Sequence, residues 1–170
     1  TRRSSDLKQM MLNISVIGSI MVIMTLITVR IVDNIGRKKL MLIGTASMAI
    51  LYGFIGFMFL KEITGLLLVI VTLANVAVYA LTLAPIVWVI LSEIFPNRIR
   101  GAAMSIAALS LWVGNFTLTF TFPMIKENLG WANNFWLYGI ICLAGFVILY
   151  FKLPETKNKS LEQIEKELVD

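Results

Sequence analysis

Five apolar runs, separated by short polar stretches, dominate the sequence. They cover residues 10–32, 40–60, 66–91, 102–124 and 134–151. Each run is close to the roughly 20 residues that a helix needs to cross a hydrocarbon core about 30 Å thick. Inside a bilayer each run must be helical, because a lone strand would leave its backbone donors and acceptors unpaired. The pattern therefore predicts five transmembrane helices.

The connections between the runs are short and polar. In chain order they read DNIGRKK, KEIT, FPNRIRG and KENLGWAN, and they contain turn-forming and charged residues. Short connections place consecutive helices side by side and antiparallel. We therefore expect an all-α membrane protein whose helical bundle occupies residues 1–153.

A polar segment follows the last run and occupies residues 154–170. Within it, Ser160 and Gln163 form a capping-box pattern, which is typical of a helix N-terminus. Leucine and isoleucine side chains share one face of the helix that would begin there. The pattern predicts a short amphipathic helix whose apolar face lies against the membrane protein or the lipid boundary.

Composition supports a bilayer as the solvent and excludes several classes of site. The chain is 58% hydrophobic and 15% charged, which is too apolar for an ordinary soluble domain. It has no histidine, a single cysteine (Cys142) and no carboxylate within the five runs. We therefore expect no internal disulfide, no metal site, no cofactor and no enzymatic activity.

The net charge of +5 comes from short basic clusters between the runs, which indicates anchoring and orientation and not binding of nucleic acid. Because the runs alternate in direction, ten basic residues lie on one side of the membrane: Arg30, Arg37, Lys38, Lys39, Arg98, Arg100, Lys152, Lys157, Lys159 and Lys166. Five lie on the other side: Arg2, Arg3, Lys8, Lys61 and Lys126. By the positive-inside rule the first side is cytoplasmic. The expectation is a multi-pass protein of the cell membrane with a cytoplasmic C-terminus, cut from a longer chain.

Three spaced motifs follow the first, third and fifth runs. VDNIGRKKL places Asp33 at the end of the first run, Gly36 where a tight turn is needed, and three cations at the start of the next run. SEIFPNRIRG follows the third run, and PETKNKSLEQI follows the fifth. The spacing D-x-x-G-R-K resembles the loop motif of the major facilitator superfamily. The other two resemble the motifs E-x-F-P-x-x-x-R and P-E-T-K-G of its sugar porter branch.

The resemblance covers essentially the whole chain and maps its five runs onto the eighth to twelfth helices of a twelve-helix transporter fold. It implies the C-terminal helical bundle, without its first helix, of a secondary transporter. Such a transporter moves a monosaccharide or related polyol by alternating access, through proton symport or facilitated diffusion. The implied partners are that sugar or polyol, protons in the case of symport, the lipid bilayer, and the N-terminal half and seventh helix of the parent chain.

The charges of these motifs are expected to form a conformational latch on the cytoplasmic side. A proline between Glu93 and Arg100 turns the chain, so that Glu93 can face Arg37 and its neighbouring lysine while Arg100 can face Asp33. In the family, such a network ties the helix ends together while the cavity is closed inside. The latch residues are Asp33, Gly36, Arg37, Lys38, Glu93, Arg98 and Arg100. The alternative is that each charge is solvated where a helix meets water.

Substrate contacts are expected on the third and fourth runs. Pro85 allows a bend at depth, and the resemblance places Trp88 under the sugar as an apolar platform. A tryptophan facing lipid instead prefers the headgroup level, so an anchoring role is the alternative. The sequence SLWVGNF supplies Trp112 and Asn115. An asparagine within the membrane must pair or face a wet cavity, which leaves a cavity contact and an interhelical hydrogen bond as hypotheses for Asn115.

Some positions depart from the family. Met21 and Leu111 stand where members that bind hexose or pentose commonly carry polar groups, and Ala80 stands where some carry a glutamate. A sugar is held largely by hydrogen bonds, so these departures either move recognition onto the seventh helix or alter the substrate, and they also fit a second hypothesis. The parent protein would then be a transporter-like sugar receptor or sensor that does not transport.

Overall fold

The computed structural model describes residues 2–95, 98–154 and 157 of the chain. This part is built from four long helices: α1 (Arg2–Ile35), α2 (Arg37–Leu60), α3 (Leu66–Ile94) and α4 (Arg100–Lys152). All four are long and apolar enough to cross a membrane. The prediction of an all-α membrane protein is confirmed. The capping-box helix predicted from Ser160 onward lies outside the described residues.

The fourth and fifth predicted helices are the two halves of α4. Gly130 has φ 82° and ψ 171°, a conformation that no helix contains, and it separates residues 100–129 from residues 131–152. The rings of Phe122 and Tyr138 lie with their centroids 6.4 Å apart. In an unbroken helix these two residues would be about 24 Å apart along the axis. The halves therefore fold back on each other, at the connection where the sequence predicts a turn.

Helix α2 lies at the centre of the bundle, between α3 and the C-terminal half of α4, and α1 packs on α3. Two clusters of buried apolar side chains fill the contacts of α2 with α3. The first consists of Leu40, Met41, Ile86 and Ile90, and the second of Ile55, Met58 and Val71. Because α2 contributes to both clusters, it holds the bundle together along most of its length.

Aromatic side chains join α2 to the C-terminal half of α4. Phe59 stacks on Trp131 and on Phe135, with ring centroids 5.4 Å and 5.3 Å apart. The indole N–H of Trp136 donates a hydrogen bond of 3.2 Å to the carbonyl oxygen of Gly53. Indole needs such an acceptor when it packs against a neighbouring helix in an apolar medium. These contacts fix the antiparallel pairing of α2 with residues 131–152.

Many large apolar side chains remain exposed, mostly on α1 and on the N-terminal half of α4; Leu26, Leu109 and Phe116 are examples. A soluble monomer rarely exposes apolar surface on this scale. In a membrane protein such faces contact lipid or further helices. They are the surfaces through which this bundle meets its surroundings.

Candidate functional site

A single glycine reverses the chain between α1 and α2. Gly36 has φ 102° and ψ 149°, in the region where a side chain is strained. Its N–H donates to the carbonyl oxygen of Val32 at 3.0 Å, and its own carbonyl accepts from the N–H of Leu40 at 3.2 Å. The turn therefore places Asp33, near the end of α1, within one helical turn of Arg37, the first residue of α2.

Arg37 connects the ends of three helices. Its Nη2 lies 2.9 Å from Oδ1 of Asp33 on α1 and 3.2 Å from Oε1 of Glu93 on α3. The Nε–H of Arg37 also donates to Oε1 of Glu93, at 3.3 Å. The predicted contact of Glu93 with Arg37 is present.

The two ion pairs differ in their exposure to water. The side chains of Arg37 and Glu93 are 16% and 24% exposed, whereas that of Asp33 is 74% exposed. Water screens an exposed pair, which is worth about 0–1 kcal/mol, and screens a partly buried pair less. The pair of Arg37 with Glu93 is therefore the stronger of the two contacts.

Arg100 does not make the contact that the sequence predicts. We expected it to face Asp33, but among the described residues Asp33 pairs with Arg37, and the Nε–H of Arg100 donates to the carbonyl oxygen of Phe95 at 3.2 Å. Phe95 follows the last residue of α3 with φ −88° and ψ 130°, so its carbonyl lies beyond the helix and is open to a side-chain donor. Arg100 stabilises the turn between α3 and α4 instead.

The remaining latch candidates lie around this cluster. The Nζ of Lys38 lies 5.9 Å above the ring centroid of Tyr150, within cation–π range, so it ties α2 to α4 and is not directed at Glu93. Arg98 is exposed to solvent. Lys157, for which the sequence suggested no role beyond orientation, donates from Nζ to the carbonyl oxygen of Asn34. The segment after α4 thus returns to the end of α1.

Trp88 lies on the open side of α3. Its side chain is 46% exposed, whereas Ile86 and Ile90, on the face that packs against α2, are buried. Trp88 is five residues before Glu93, which is about 7.5 Å along the helix axis. The platform candidate and the charge cluster therefore belong to one rigid stretch of α3.

Trp112 and Asn115 lie on the exposed surface of the N-terminal half of α4. Asn115 borders an open groove of about 570 Å³, whose other lining residues are Ala107, Ser110, Leu111, Gly114 and Leu118. Within the part of the chain that the structure describes, no ring contact joins Trp88 to Trp112, and no interhelical hydrogen bond engages Asn115. The substrate site and both hypotheses for Asn115 remain predictions.

A second cavity lies between α2 and the two halves of α4. It has a volume of about 420 Å³ and is lined by Met48, Tyr52, Leu118, Thr119, Phe122, Tyr138, Ile141 and Cys142. None of these residues is charged, and none was predicted to bind substrate. The wall is apolar apart from the hydroxyl and thiol groups, which is typical of a space between helices in a membrane.

Known transporters are similar to most of this chain. A family model described as "Sugar (and other) transporter" matches residues 2–168. The arabinose-proton symporter of Bacillus subtilis (strain 168) is 42% identical over 152 residues, which cover 89% of this chain and 33% of the relative. The D-xylose-proton symporter of Escherichia coli (strain K12) is 36% identical over 157 residues, which cover 88% of this chain and 32% of the relative. The glucose facilitated diffusion protein of Zymomonas mobilis is 33% identical over 156 residues, which cover 88% of this chain and 33% of the relative.

A solved structure agrees with these sequence relatives. The inward open conformation of the xylose transporter XylE from E. coli matches with a TM-score of 0.84 and 36% identity, over 89% of this chain and 34% of that chain. This level of identity and shared shape supports a common fold for the matched region. The chain spans about a third of the length of the curated relatives that it matches.

Proposed function

Since the chain belongs to the sugar (and other) transporter family, we propose that it is the C-terminal five-helix part of a secondary transporter. The parent protein moves a monosaccharide or related polyol across the cytoplasmic membrane by alternating access. The relatives described above are all named for transport, which favours transport over the receptor hypothesis. They include proton symporters and a facilitated diffusion protein, so the proposal covers both proton symport and facilitated diffusion.

The observation that carries the proposal is the position of Arg37. Its guanidinium holds Asp33 of α1 and Glu93 of α3 from the start of α2, so three helix ends meet at one cation. Helix ends joined by a few charge contacts separate at a cost of a few kcal/mol, which is the scale of a conformational equilibrium. This cluster is therefore suited to act as the latch that keeps the cytoplasmic side closed.

The substrate path in this proposal runs along the open faces of α3 and of the N-terminal half of α4. Trp88 offers an apolar surface to the carbon-bound hydrogens of a sugar, while Asn115 offers hydrogen-bond donors and an acceptor. Trp112 extends the apolar surface one turn from Asn115. The N-terminal half and the seventh helix of the parent chain cover these faces and complete the site.

The orientation of the bundle follows from its basic residues. The turn at Gly36, the connection before Arg100 and the end of α4 lie at one end of the bundle and carry most of the cations. We place this end in the cytoplasm by the positive-inside rule, together with residues 154–170. The proposed latch then faces the cytoplasm.

Uptake by the full-length parent protein tests the proposal. The protein is reconstituted into lipid vesicles and offered radiolabelled pentoses, hexoses and cyclic polyols, with and without a proton gradient, against protein-free vesicles. We expect saturable uptake of at least one member of the panel, and the effect of the gradient separates symport from facilitated diffusion. Sugar binding without uptake would favour the receptor hypothesis, and neither binding nor uptake would overturn the proposal.

A further inference from the structure

A proline inside α3 leaves one backbone carbonyl without its helical partner. Pro85 has no N–H, so it cannot donate to the carbonyl oxygen of Leu81, four residues earlier. In a bilayer an unpaired carbonyl costs several kcal/mol, and hydroxyl side chains of neighbouring helices are a usual source of the missing donor. The contacts of Leu81 therefore show what stabilises α3 at this proline.

Thr28 of α1 supplies that donor. Its Oγ1 lies 2.6 Å from the carbonyl oxygen of Leu81 and 2.9 Å from that of Met24, one turn earlier in α1. A hydroxyl has one proton to donate. The carbonyl of Met24 already accepts the backbone N–H of Thr28 in the α-helical pattern, whereas the carbonyl of Leu81 has lost its backbone donor. Thr28 is 1% exposed, so the hydroxyl donates to Leu81 inside the protein and not to solvent.

Helix α2 packs closely against the same turn of α3. A Cβ atom added to Gly44 of α2 would overlap with the side chain of Thr82, so the two helices approach as closely as a glycine permits. Ala80 and Thr82 are both buried. The turn of α3 just before Pro85 is thus held by a hydrogen bond from α1 and by close packing from α2.

Trp88 lies just beyond this fixed turn. It is seven residues after Leu81, about 10 Å along the helix, and Pro85 lies between them. A binding site works only while its side chains stay within about 0.5 Å of the productive position. A helix is most easily deformed where a proline removes a backbone hydrogen bond, and a change of direction at Pro85 would move Trp88 relative to α1 and α2. The contact at Leu81 that fixes α3 there therefore also fixes the aromatic platform.

We propose that Thr28 is a positioning residue for substrate binding, which fixes α3 at Pro85 through its hydrogen bond to Leu81 and thereby places Trp88. The inference rests on the proposed function, because Trp88 contacts a sugar only if the parent protein binds one. Thr28 itself touches no substrate in this arrangement. Its effect passes through one interhelical hydrogen bond.

Two substitutions at Thr28 in the full-length protein separate the hydroxyl from the shape of the side chain. Thr28→Val keeps the shape and removes the donor, and Thr28→Ser keeps the donor. We expect Thr28→Val to raise the apparent Kd and the KM for sugar by about three- to tenfold, the range that corresponds to one lost hydrogen bond. The maximal uptake rate should change little, and Thr28→Ser should bind like the wild type. Thr72→Val on α3 is the matched control, because the Thr72 hydroxyl is exposed and donates to Leu68 of its own helix.

A double substitution tests the mechanism. Pro85→Ala returns an N–H to the carbonyl of Leu81, so in that background Thr28→Val should no longer weaken sugar binding. Thermal unfolding of the four proteins should show the same coupling between the two positions. An equal loss of affinity in both backgrounds, or unchanged affinity of Thr28→Val in a wild-type background that binds sugar, would overturn the positioning role. A wild-type protein that binds no sugar would overturn the proposed function, whatever coupling the unfolding data show.

Discussion

Glu93 and Arg37 are 56 residues apart in the chain, yet Oε1 of Glu93 lies 3.2 Å from Nη2 and 3.3 Å from Nε of Arg37. The contact joins the end of α3 to the start of α2, and Asp33 adds the end of α1. These three helix ends separate only if the contacts of Arg37 change.

Replacing Glu93 by glutamine in the full-length protein should favour the state that is open to the cytoplasm. The amide keeps the shape of the side chain but removes the charge, so the attraction to Arg37 weakens by about 1 kcal/mol, or roughly fivefold in the ratio of states. The measurement is the labelling rate of a cysteine placed in the inner cavity, in a Cys142→Ala background. Glu62→Gln, at an exposed position at the other end of the bundle, is the control. An unchanged labelling rate in Glu93→Gln would count against the latch.

Gly36→Ala should lower the stability of the bundle. At φ 102° a Cβ atom clashes with the backbone, and we expect the free energy of unfolding to fall by about 1–2 kcal/mol. Gly18→Ala is the control, because Gly18 lies inside α1 with no atom within 4 Å of an added Cβ. There, alanine should be neutral or stabilising by up to about 1 kcal/mol. Thermal unfolding in detergent measures both, and equal melting temperatures for the two variants would contradict the prediction.

Trp88→Leu should weaken sugar binding without lowering expression. Leucine remains apolar but lacks the flat ring, and the loss of an aromatic contact is worth about 0.5–1.5 kcal/mol, or roughly a two- to tenfold increase in the apparent Kd. Binding of the sugar identified by the uptake experiment gives the readout. Trp131→Phe is the control, because Trp131 stacks on Phe59 at the other end of the bundle and phenylalanine keeps a ring there. Wild-type affinity in Trp88→Leu would remove this residue from the site.

Gly56→Ala should destabilise the packing of α2 on the C-terminal half of α4. An added Cβ would overlap with the ring of Trp136 and would lie 2.9 Å from the carbonyl oxygen of Ala132. Overpacking of this kind costs about 1–3 kcal/mol. Gly53→Ala, one turn earlier on the same helix, meets no atom within 4 Å and should be neutral. The difference between the melting temperatures of these two variants measures the cost of the overlap at Gly56. Equal melting temperatures of Gly56→Ala and Gly53→Ala would contradict the prediction.

Most of the fold could be predicted from the sequence because a bilayer leaves few alternatives. Apolar runs of spanning length must be helical, and the connections between them lie where polar and turn-forming residues interrupt the runs. The helix ends at Ile35, Leu60 and Ile94 agree with the predicted ends within three residues. The break at Gly130 falls inside the predicted connection, although the flanking residues are helical on both sides.

The candidate site was only partly predictable. Motif spacing offered Arg37 and its neighbouring lysine as partners of Glu93 without choosing between them. It did not predict the partner of Arg100, because the carbonyl of Phe95 becomes an acceptor only where the end of α3 and the start of α4 meet. The position of Lys38 over Tyr150 depends on the antiparallel pairing of α2 with α4. Spacing along the chain identifies charges that can pair. It does not show which of several possible acceptors a given cation contacts in the folded protein.

The amino-acid sequence is enough to predict the number of apolar helices, the location of their connections and the family to which the motifs belong. Each of these depends on local properties: the length of an apolar run, the conformational freedom of a glycine, and the spacing of charges around a turn. Only the packing of the helices establishes which groups of different helices form contacts, such as the hydrogen bond between the hydroxyl of Thr28 and the carbonyl of Leu81. The proline shows that a carbonyl has lost its donor, but only the packing of α1 on α3 brings a new donor to it.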